Sequence, residues 1–173
     1  MILAVCGYGD HGKGTIATYL SLKTKLRYVE STSEAASRLV MFDVLRNKYG
    51  LGYESPQAAW HDRRNHRTKW AEEIWGYNNA SPDGLRLYHD VIPDNDILEG
   101  VRKAAELHRL RDYGIVDLVV WVDAIKRKPR ESSSSCQISA ADCDIILDNN
   151  GSMMQLKLTL DTFIDNYLSA YKK

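Results

Sequence analysis

The sequence predicts a three-layer α/β/α domain built on a five-stranded parallel sheet. Three observations carry this expectation. Short apolar runs alternate with stretches of helical period along the chain. The run from Val116 to Val122 is nearly continuous in apolar residues, as a strand covered on both faces requires. The chain also opens on an apolar strand that runs straight into a glycine cluster.

Taken in order, residues 2–6 form the first strand, Gly7 to Gly12 a turn, and Ile16, Ala17 and Leu20 the inner face of a helix. Leu26 to Val29 is the second expected strand. A long helix follows, with Ala36, Leu39, Val40 and Leu45 as its apolar stripe. Ser55-Pro56 starts another: serine caps it, and proline loses nothing at the first helical position. That helix is expected to reach about Trp75, where Gly76, Asn78 and Asn79 end it, and Ser81-Pro82 begins a shorter one. Strands are then expected at Ile97-Leu98, Val116 to Val122 and Asp144 to Leu147, with a helix over Ala104 to Arg109. Ser152 caps a last helix whose Leu156, Leu160, Phe163, Ile164, Tyr167 and Tyr171 lie on one side.

Composition narrows the function. A length of 173 residues suits one domain, and 44% apolar residues is too many for a disordered chain. Lys plus Arg number 23 and so do Asp plus Glu, which argues against nucleic-acid binding by bulk charge and leaves room only for a local basic cleft. Cys6, Cys136 and Cys143 are few, odd in number and without a close pair, so a reducing compartment and no disulfide framework are expected. No stretch approaches the roughly 18 apolar residues of a spanning helix, and the apolar start lacks a basic leader region. A soluble, cytoplasmic protein with no membrane partner is the expectation.

The strongest motif is Gly7-Tyr8-Gly9-Asp10-His11-Gly12-Lys13-Gly14-Thr15. It has the form G-x-x-x-x-G-K, with Gly14 where Ser or Thr is usual and Thr15 one place later. Between a buried strand and a helix, such a loop aims backbone N–H groups and the helix N-terminus at one anion, and Lys13 can reach β- and γ-phosphates. Gly9, Asp10, His11, Gly12, Lys13, Gly14 and Thr15 are therefore the candidate nucleotide contacts. The alternative is a chance glycine turn. Glu99 and Arg102 form a second candidate group: at the carboxyl end of a neighbouring strand, a carboxylate can hold Mg²⁺ through water and an arginine can neutralise phosphate. Both could also be ordinary surface residues at a strand–helix turn.

Phosphoryl transfer needs positive charge around the moving group. Arg63, Arg67 and Trp70 recur at helical spacing. They read either as phosphate clamps with a base-stacking ring or as a solvated basic helix, with Trp60 and Trp70 anchoring the core. Lys126-Arg127-Lys128-Pro129-Arg130 reads as a mobile lid over phosphates, with Arg127 and Arg130 as its working residues, or as a plain basic loop.

Gly12-Lys13-Gly14-Thr15 and Glu99-Gly100-Val101-Arg102 resemble the corresponding segments of adenylate-kinase-like nucleoside-monophosphate kinases. In the segment Asp144 to Ser152 and the helix after it, the chain is similar to the phage deoxynucleoside monophosphate kinase family. That resemblance implies a P-loop kinase fold and transfer of the ATP γ-phosphoryl to a deoxynucleoside monophosphate, with Mg²⁺ held through Thr15 and Glu99. It further implies an acceptor region over about 33–92 with Arg38, Arg63 and Arg67 as clamps, and a lid over about 124–140. Asn149 to Gly151 would lie against the donor adenine, Asn149 and Gly151 being the named contacts. Glu99 stands where the family has Asp, and the chain has no room for a large acceptor insertion. Other acceptors fit the same layout, among them dephospho-CoA, a nucleoside or a shikimate-like alcohol; an alcohol needs a carboxylate base, for which Asp43, Asp62 and Glu99 are available. A non-enzymatic nucleotide switch is the third reading, weakened for GTP because no Asn-Lys-x-Asp stretch follows the loop. Exposed aromatics within 49–77 suggest a possible homodimer surface.

Overall fold

A computed structural model describes residues 1–173. In chain order the elements are β1 (Leu3–Cys6), α1 (Lys13–Lys23), α2 (Thr32–Ala36), α3 (Phe42–Asn47), α4 (Pro56–His61), α5 (Arg67–Asn78), α6 (Arg86–Val91), β2 (Ile97–Glu99), α7 (Ala104–Asp112), β3 (Leu118–Asp123), β4 (Ile145–Asp148) and α8 (Met153–Tyr167). Two compact units result. Met1–Val29 with Asp94–Lys173 makes the first and Glu30–Pro93 the second. No helix is long and apolar enough to cross a membrane.

The first unit holds the whole sheet, four parallel strands in the order β2-β1-β3-β4. All four residues of β1 are fully buried, because β1 lies between two strands and is covered above and below. Alternate residues face opposite layers. Leu3, Val5, Val120, Val122 and Leu147 pack with Ile16, Ala17 and Leu20 of α1 and with Leu156, Leu160, Phe163 and Ile164 of α8. On the other parity Ala4, Leu98, Val119 and Trp121 are buried as well, and α7 turns Leu107 and Leu110 inward. In α8 the expected stripe holds as far as Ile164, whereas Tyr167 is exposed. Ser152 caps this helix as its sequence foretells, accepting from the Gln155 amide while the Gln155 side chain accepts from the Ser152 amide.

The sheet has four strands, not the five expected. Residues 26–29 do run beside the start of β2, and the Arg27 carbonyl accepts from the Asp96 and Ile97 amides at 2.8 and 3.2 Å. Their own donors go elsewhere. The Arg27 amide donates to Asp96 Oδ2 at 2.8 Å and the Val29 amide to Asn95 Oδ1 at 2.7 Å. Side-chain oxygens at 95 and 96 thus take the N–H groups that a fifth strand would give to backbone carbonyls.

The second unit is helical: the first long helix expected there is present as a continuous helical run over 32–47 that passes through a π turn, whereas the one expected from Pro56 to Trp75 is broken. The π-helical turn over Ser37–Met41 joins α2 to α3, and Ser37 Oγ donates to the Pro56 carbonyl at 2.7 Å. Ser55 caps α4 with Pro56 behind it, as expected. That helix then stops at Asp62. Its carboxylate collects Tyr53 Oη at 2.5 Å, Asn65 Nδ2 at 2.5 Å and His66 Nε2 at 3.1 Å, which fixes a 3₁₀ turn over Arg63–His66 before α5 begins. Gly76 lies inside α5, which ends at Asn78. At Ser81-Pro82 the chain turns without starting a helix, because Ser81 Oγ and Asp83 Oδ1 both accept from the Leu85 amide at 3.0 Å; α6 starts at Arg86.

The side-chain edge at β2 makes a prediction. The Arg27 guanidinium and amide bonded to Asp96 hold its carboxyl below the ordinary value of 3.8. A depressed carboxylate stabilises the fold fully above its unfolded pKa and loses that contribution as pH falls through its folded pKa. Asp96→Asn should therefore melt below wild type by a margin that is widest above about pH 5 and closes in more acid solution, as thermal denaturation across pH 2–7 would record. Asn95→Ala, which strands the Val29 amide, should cost about 1–3 kcal/mol in urea unfolding.

Candidate phosphate-binding site

The loop after β1 emerges at the point where strand order diverges, with β2 on one side of β1 and β3 on the other. Open α/β sheets present their ligand crevice there. Two glycines are obligatory for the loop's course. A Cβ on Gly7, at φ +150°, would lie 2.9 Å from the Val122 carbonyl oxygen, and one on Gly12, at φ +92°, would lie 2.5 Å from Asn149 Nδ2. Because Gly12 is the N-cap of α1, no side chain caps that helix, and its first turn carries no acidic residue. The amides opening α1 are left without intrahelical acceptors, in contrast to the full capping box of α8.

Lys13 is buried, and its Nζ donates to the Tyr8 carbonyl at 2.8 Å, folding back over the loop. Burial pushes its ammonium pKa down and the Arg102 guanidinium adds to this; the carboxylates of Glu99 and Glu131 pull it back up. Glu99 accepts from Tyr28 Oη at 2.8 Å, and its Oε2 lies 3.7 Å from where a Cβ on Gly14 would be. Arg102 reaches in from the turn after β2, and Nη1 donates to Glu131 Oε2 at 2.8 Å and to the Ser135 carbonyl at 3.3 Å. The same Glu131 oxygen accepts from the Gly9 amide at 2.6 Å. Loop, Lys13, Glu99, Arg102 and Glu131 form one charged cluster. Thr15 is exposed on the first turn of α1, and Asp10 is exposed at φ +62°.

His11 is not the simple loop residue its sequence context suggests. It is fully buried. Nδ1 lies 3.1 Å from the Ala124 amide and 3.2 Å from the Val122 carbonyl, and Nε2 lies 3.2 Å from the Lys128 carbonyl, so the ring meets backbone at three points. The imidazole therefore latches the loop to the start of the 124–140 segment. Asn149 performs a similar task from the end of β4, donating through Nδ2 to the His11 carbonyl at 2.8 Å. Gly151 leaves room for the Gln155 side chain of the α8 capping box.

Arg127 and Arg130 are both exposed, and the Arg130 guanidinium stands 5.8 Å from the centre of the Tyr8 ring. Tyr8 and Trp121 meet edge to face, their centroids 4.9 Å apart, and with Asp123, Ile125, Arg130 and Ile146 they help line a cavity of about 470 Å³. Cys6 is unsuited to nucleophilic work: Cys143 beside it and burial push its thiol well above the ordinary range. All three cysteines are free, as the sequence led one to expect.

In the second unit, Arg38 is paired with Glu30. Arg63 donates to the Trp60 carbonyl at 2.7 Å and stacks 4.2 Å from that ring's centre. The break at Asp62 places Arg63 in the 3₁₀ turn and Arg67 at the start of α5, so the two do not share the continuous helical ladder their spacing suggested. Trp70 is buried, its indole N–H without a partner. Asp62 is fully engaged by Tyr53, Asn65 and His66, and burial together with the Asp62 bond pushes the Tyr53 phenol up to about 12. Trp75 stands exposed on α5.

Sequence reasoning missed Glu131 and the ring of Tyr8. One signal was available for the first: Glu131 is the lone acid beside the basic run 126–130.

A scan against protein-family models finds no match, and a search of curated proteins finds none. Among solved structures the chain is similar to an unliganded sugar kinase from Janibacter sp. HTCC2649, at 14% identity and a TM-score of 0.49, covering 99% of this chain and 98% of that one. A likeness of that strength carries neither substrate nor mechanism to this chain. The expected kinship with phage deoxynucleoside monophosphate kinases and adenylate kinases is corrected accordingly: neither a family model nor a curated protein matches the chain.

The latch is testable. His11→Ala leaves the Ala124 amide without its acceptor and should destabilise the protein by about 1–3 kcal/mol in urea unfolding. Hydrogen exchange at residues 124–128 should rise more than exchange in α8.

Proposed function

We propose that the chain is an ATP-dependent phosphotransferase acting on a small acceptor. The observation that carries this reading is the uncapped N-terminus of α1 at the sheet's switch point, with the buried Lys13 ammonium and the Arg102 guanidinium in the same cluster. Two cations and a row of open amides suit a polyphosphate, whose charge is spread over several oxygens.

In this reading Gly9 to Thr15 hold the donor phosphates. Lys13 turns from the Tyr8 carbonyl toward the transferring group, and Arg102 neutralises charge that builds on it as the bond to the leaving oxygen breaks. When bound, Mg²⁺ would neutralise phosphate charge, and Thr15 on α1 and Glu99 beside Gly14 fit a role of holding it through water. Transfer is direct: the acceptor oxygen bonds to the γ-phosphorus as the bond from that phosphorus to the β–γ bridging oxygen breaks and ADP leaves, and no side chain of the cluster needs to be phosphorylated.

For an alcohol acceptor a carboxylate must take the hydroxyl proton. Asp62 is committed to three donors, whereas Glu99 belongs to the phosphate cluster and is the favoured base. A phosphate acceptor, a deoxynucleoside monophosphate included, is already ionised and needs no base. The 124–140 segment would serve as the lid, with Arg127 and Arg130 on it. Arg38, Arg63, Arg67 and Trp70 would serve the acceptor.

A panel of sugars, nucleosides, dephospho-CoA and deoxynucleoside monophosphates, each with ATP and Mg²⁺, should reveal one class that accelerates ADP formation. If none does, transfer to these acceptors is refuted, and tight ATP binding without acceptor-stimulated turnover would instead favour a nucleotide-dependent switch. With the acceptor found, Lys13→Met should lower kcat/KM by at least about 10³-fold while Tm stays within about 3 °C, since the change also removes a buried charge. Glu99→Gln should lower kcat with either acceptor class by weakening the hold on Mg²⁺, and by about 10²-fold more for an alcohol, which also loses its base.

A further inference from the structure

The loop after β1 already engages an anion, and it belongs to the chain itself. Glu131 is largely buried, with a side chain 15% exposed. Its Oε2 takes both the Gly9 amide at 2.6 Å and Arg102 Nη1 at 2.8 Å. Its Oε1 lies 3.0 Å from where a Cβ on Gly9 would be, so the carboxylate is seated flat on the glycine backbone. Its charge is also felt at the Lys13 ammonium. Glu131 therefore engages a loop amide and the arginine, two of the kinds of donor that a phosphate would use, while Lys13 feels its charge with Nζ bonded to the Tyr8 carbonyl.

The backbone on either side holds it there. The Lys128 carbonyl is bound by His11 Nε2 at 3.2 Å, the Ser135 carbonyl by Arg102 Nη1 at 3.3 Å, and the Gln137 amide donates to the Arg102 carbonyl at 2.9 Å. Between these ties Ser132 closes a turn, its carbonyl accepting from the Ser135 and Cys136 amides. Residues 128–137 form a strap across the cradle, with Glu131 at its point of contact.

We propose that Glu131 is an internal competitor for the phosphate site, and that a polyphosphate enters by exchanging with its carboxylate at Gly9 and Arg102. Two anions cannot share one amide and one guanidinium N–H without strong repulsion, so binding requires the strap to lift or slide. Unliganded protein is held in a self-blocked state, and the affinity measured for a ligand is reduced by the fraction of molecules in which the carboxylate is seated. The inference rests on the phosphate-binding reading above and adds a gate to it.

The test is calorimetric titration of inorganic tripolyphosphate and of ATP, at fixed ionic strength, into wild type, Glu131→Ala, Glu131→Gln, Lys13→Met and the remote surface variant Asp112→Asn. Glu131→Ala should bind both ligands about tenfold tighter or more, with Glu131→Gln showing a smaller gain in the same direction and Asp112→Asn staying within about twofold of wild type. Gln keeps the shape and an acceptor oxygen, so it serves if the alanine variant folds poorly. If wild type binds, Lys13→Met does not, and the Glu131 variants bind equally or more weakly than wild type, the competitor is refuted while the phosphate site stands. If Asp112→Asn gains as much as Glu131→Ala, general electrostatics explains the effect and the competitor is likewise refuted. Absence of binding in wild type and every Glu131 variant would overturn both the gate and the phosphate site.

Discussion

Backbone N–H groups gathered at the carboxyl edge of a buried sheet need acceptors, and this need organises the first unit. Burial of all four residues of β1 fixes where the chain leaves the sheet. Gly7 and Gly12 then bend it so tightly that α1 starts without a side-chain cap. Elsewhere in the molecule Ser31, Ser55 and Ser152 satisfy helix amides with their own oxygens. The opening of α1 has no side-chain cap, as is true of α5, α6 and α7, and what sets it apart is the charge beside it: Lys13 and Arg102 as cations, Glu99 and Glu131 as anions. In the proposed reading, an anionic ligand would satisfy amides and cations that the chain itself meets only in part, through Glu131.

The surrounding contacts serve to hold that arrangement still. His11 and Asn149 are buried polar residues, and both bond to backbone. His11 ties the loop to the segment after β3, and Asn149 ties it to the end of β4. The cradle is therefore pinned from two neighbouring strands, which preorganises it for a rigid anion. The strap over 128–137 is attached at one end through His11 and at the other through Arg102. In the proposed gate, those two residues would link movement of the strap to occupancy of the cradle.

Much of this was legible in the sequence where one physical signal dominated. Apolar runs identified β1, β2 and β3 because buried parallel strands admit little else, the apolar stretch before Asp148 identified the exposed edge strand β4, and Ser55-Pro56 and Ser152 announced their caps through short-range chemistry. The glycine–lysine loop was visible because its spacing has a direct mechanical meaning. Failures arose where a side chain overrode a local tendency. Asn95 and Asp96 replaced ladder bonds and removed a fifth strand. Asp62 gathered three donors and broke a helix whose periodicity continued past it, and Ser81 and Asp83 held a turn where a helix start was expected. Glu131 was hidden for another reason: its contact with Gly9 spans 122 positions of sequence, and no periodicity encodes such a pairing.

The most direct measurement of the central claim is a crystal structure of the protein with a non-hydrolysable ATP analogue. The account predicts phosphate oxygens within hydrogen-bonding distance of the Gly9 to Gly14 amides, Lys13 Nζ turned from the Tyr8 carbonyl to the phosphates, and Glu131 withdrawn from Gly9. A nucleotide bound elsewhere, with Lys13 still on Tyr8 and Glu131 still on Gly9, would contradict it.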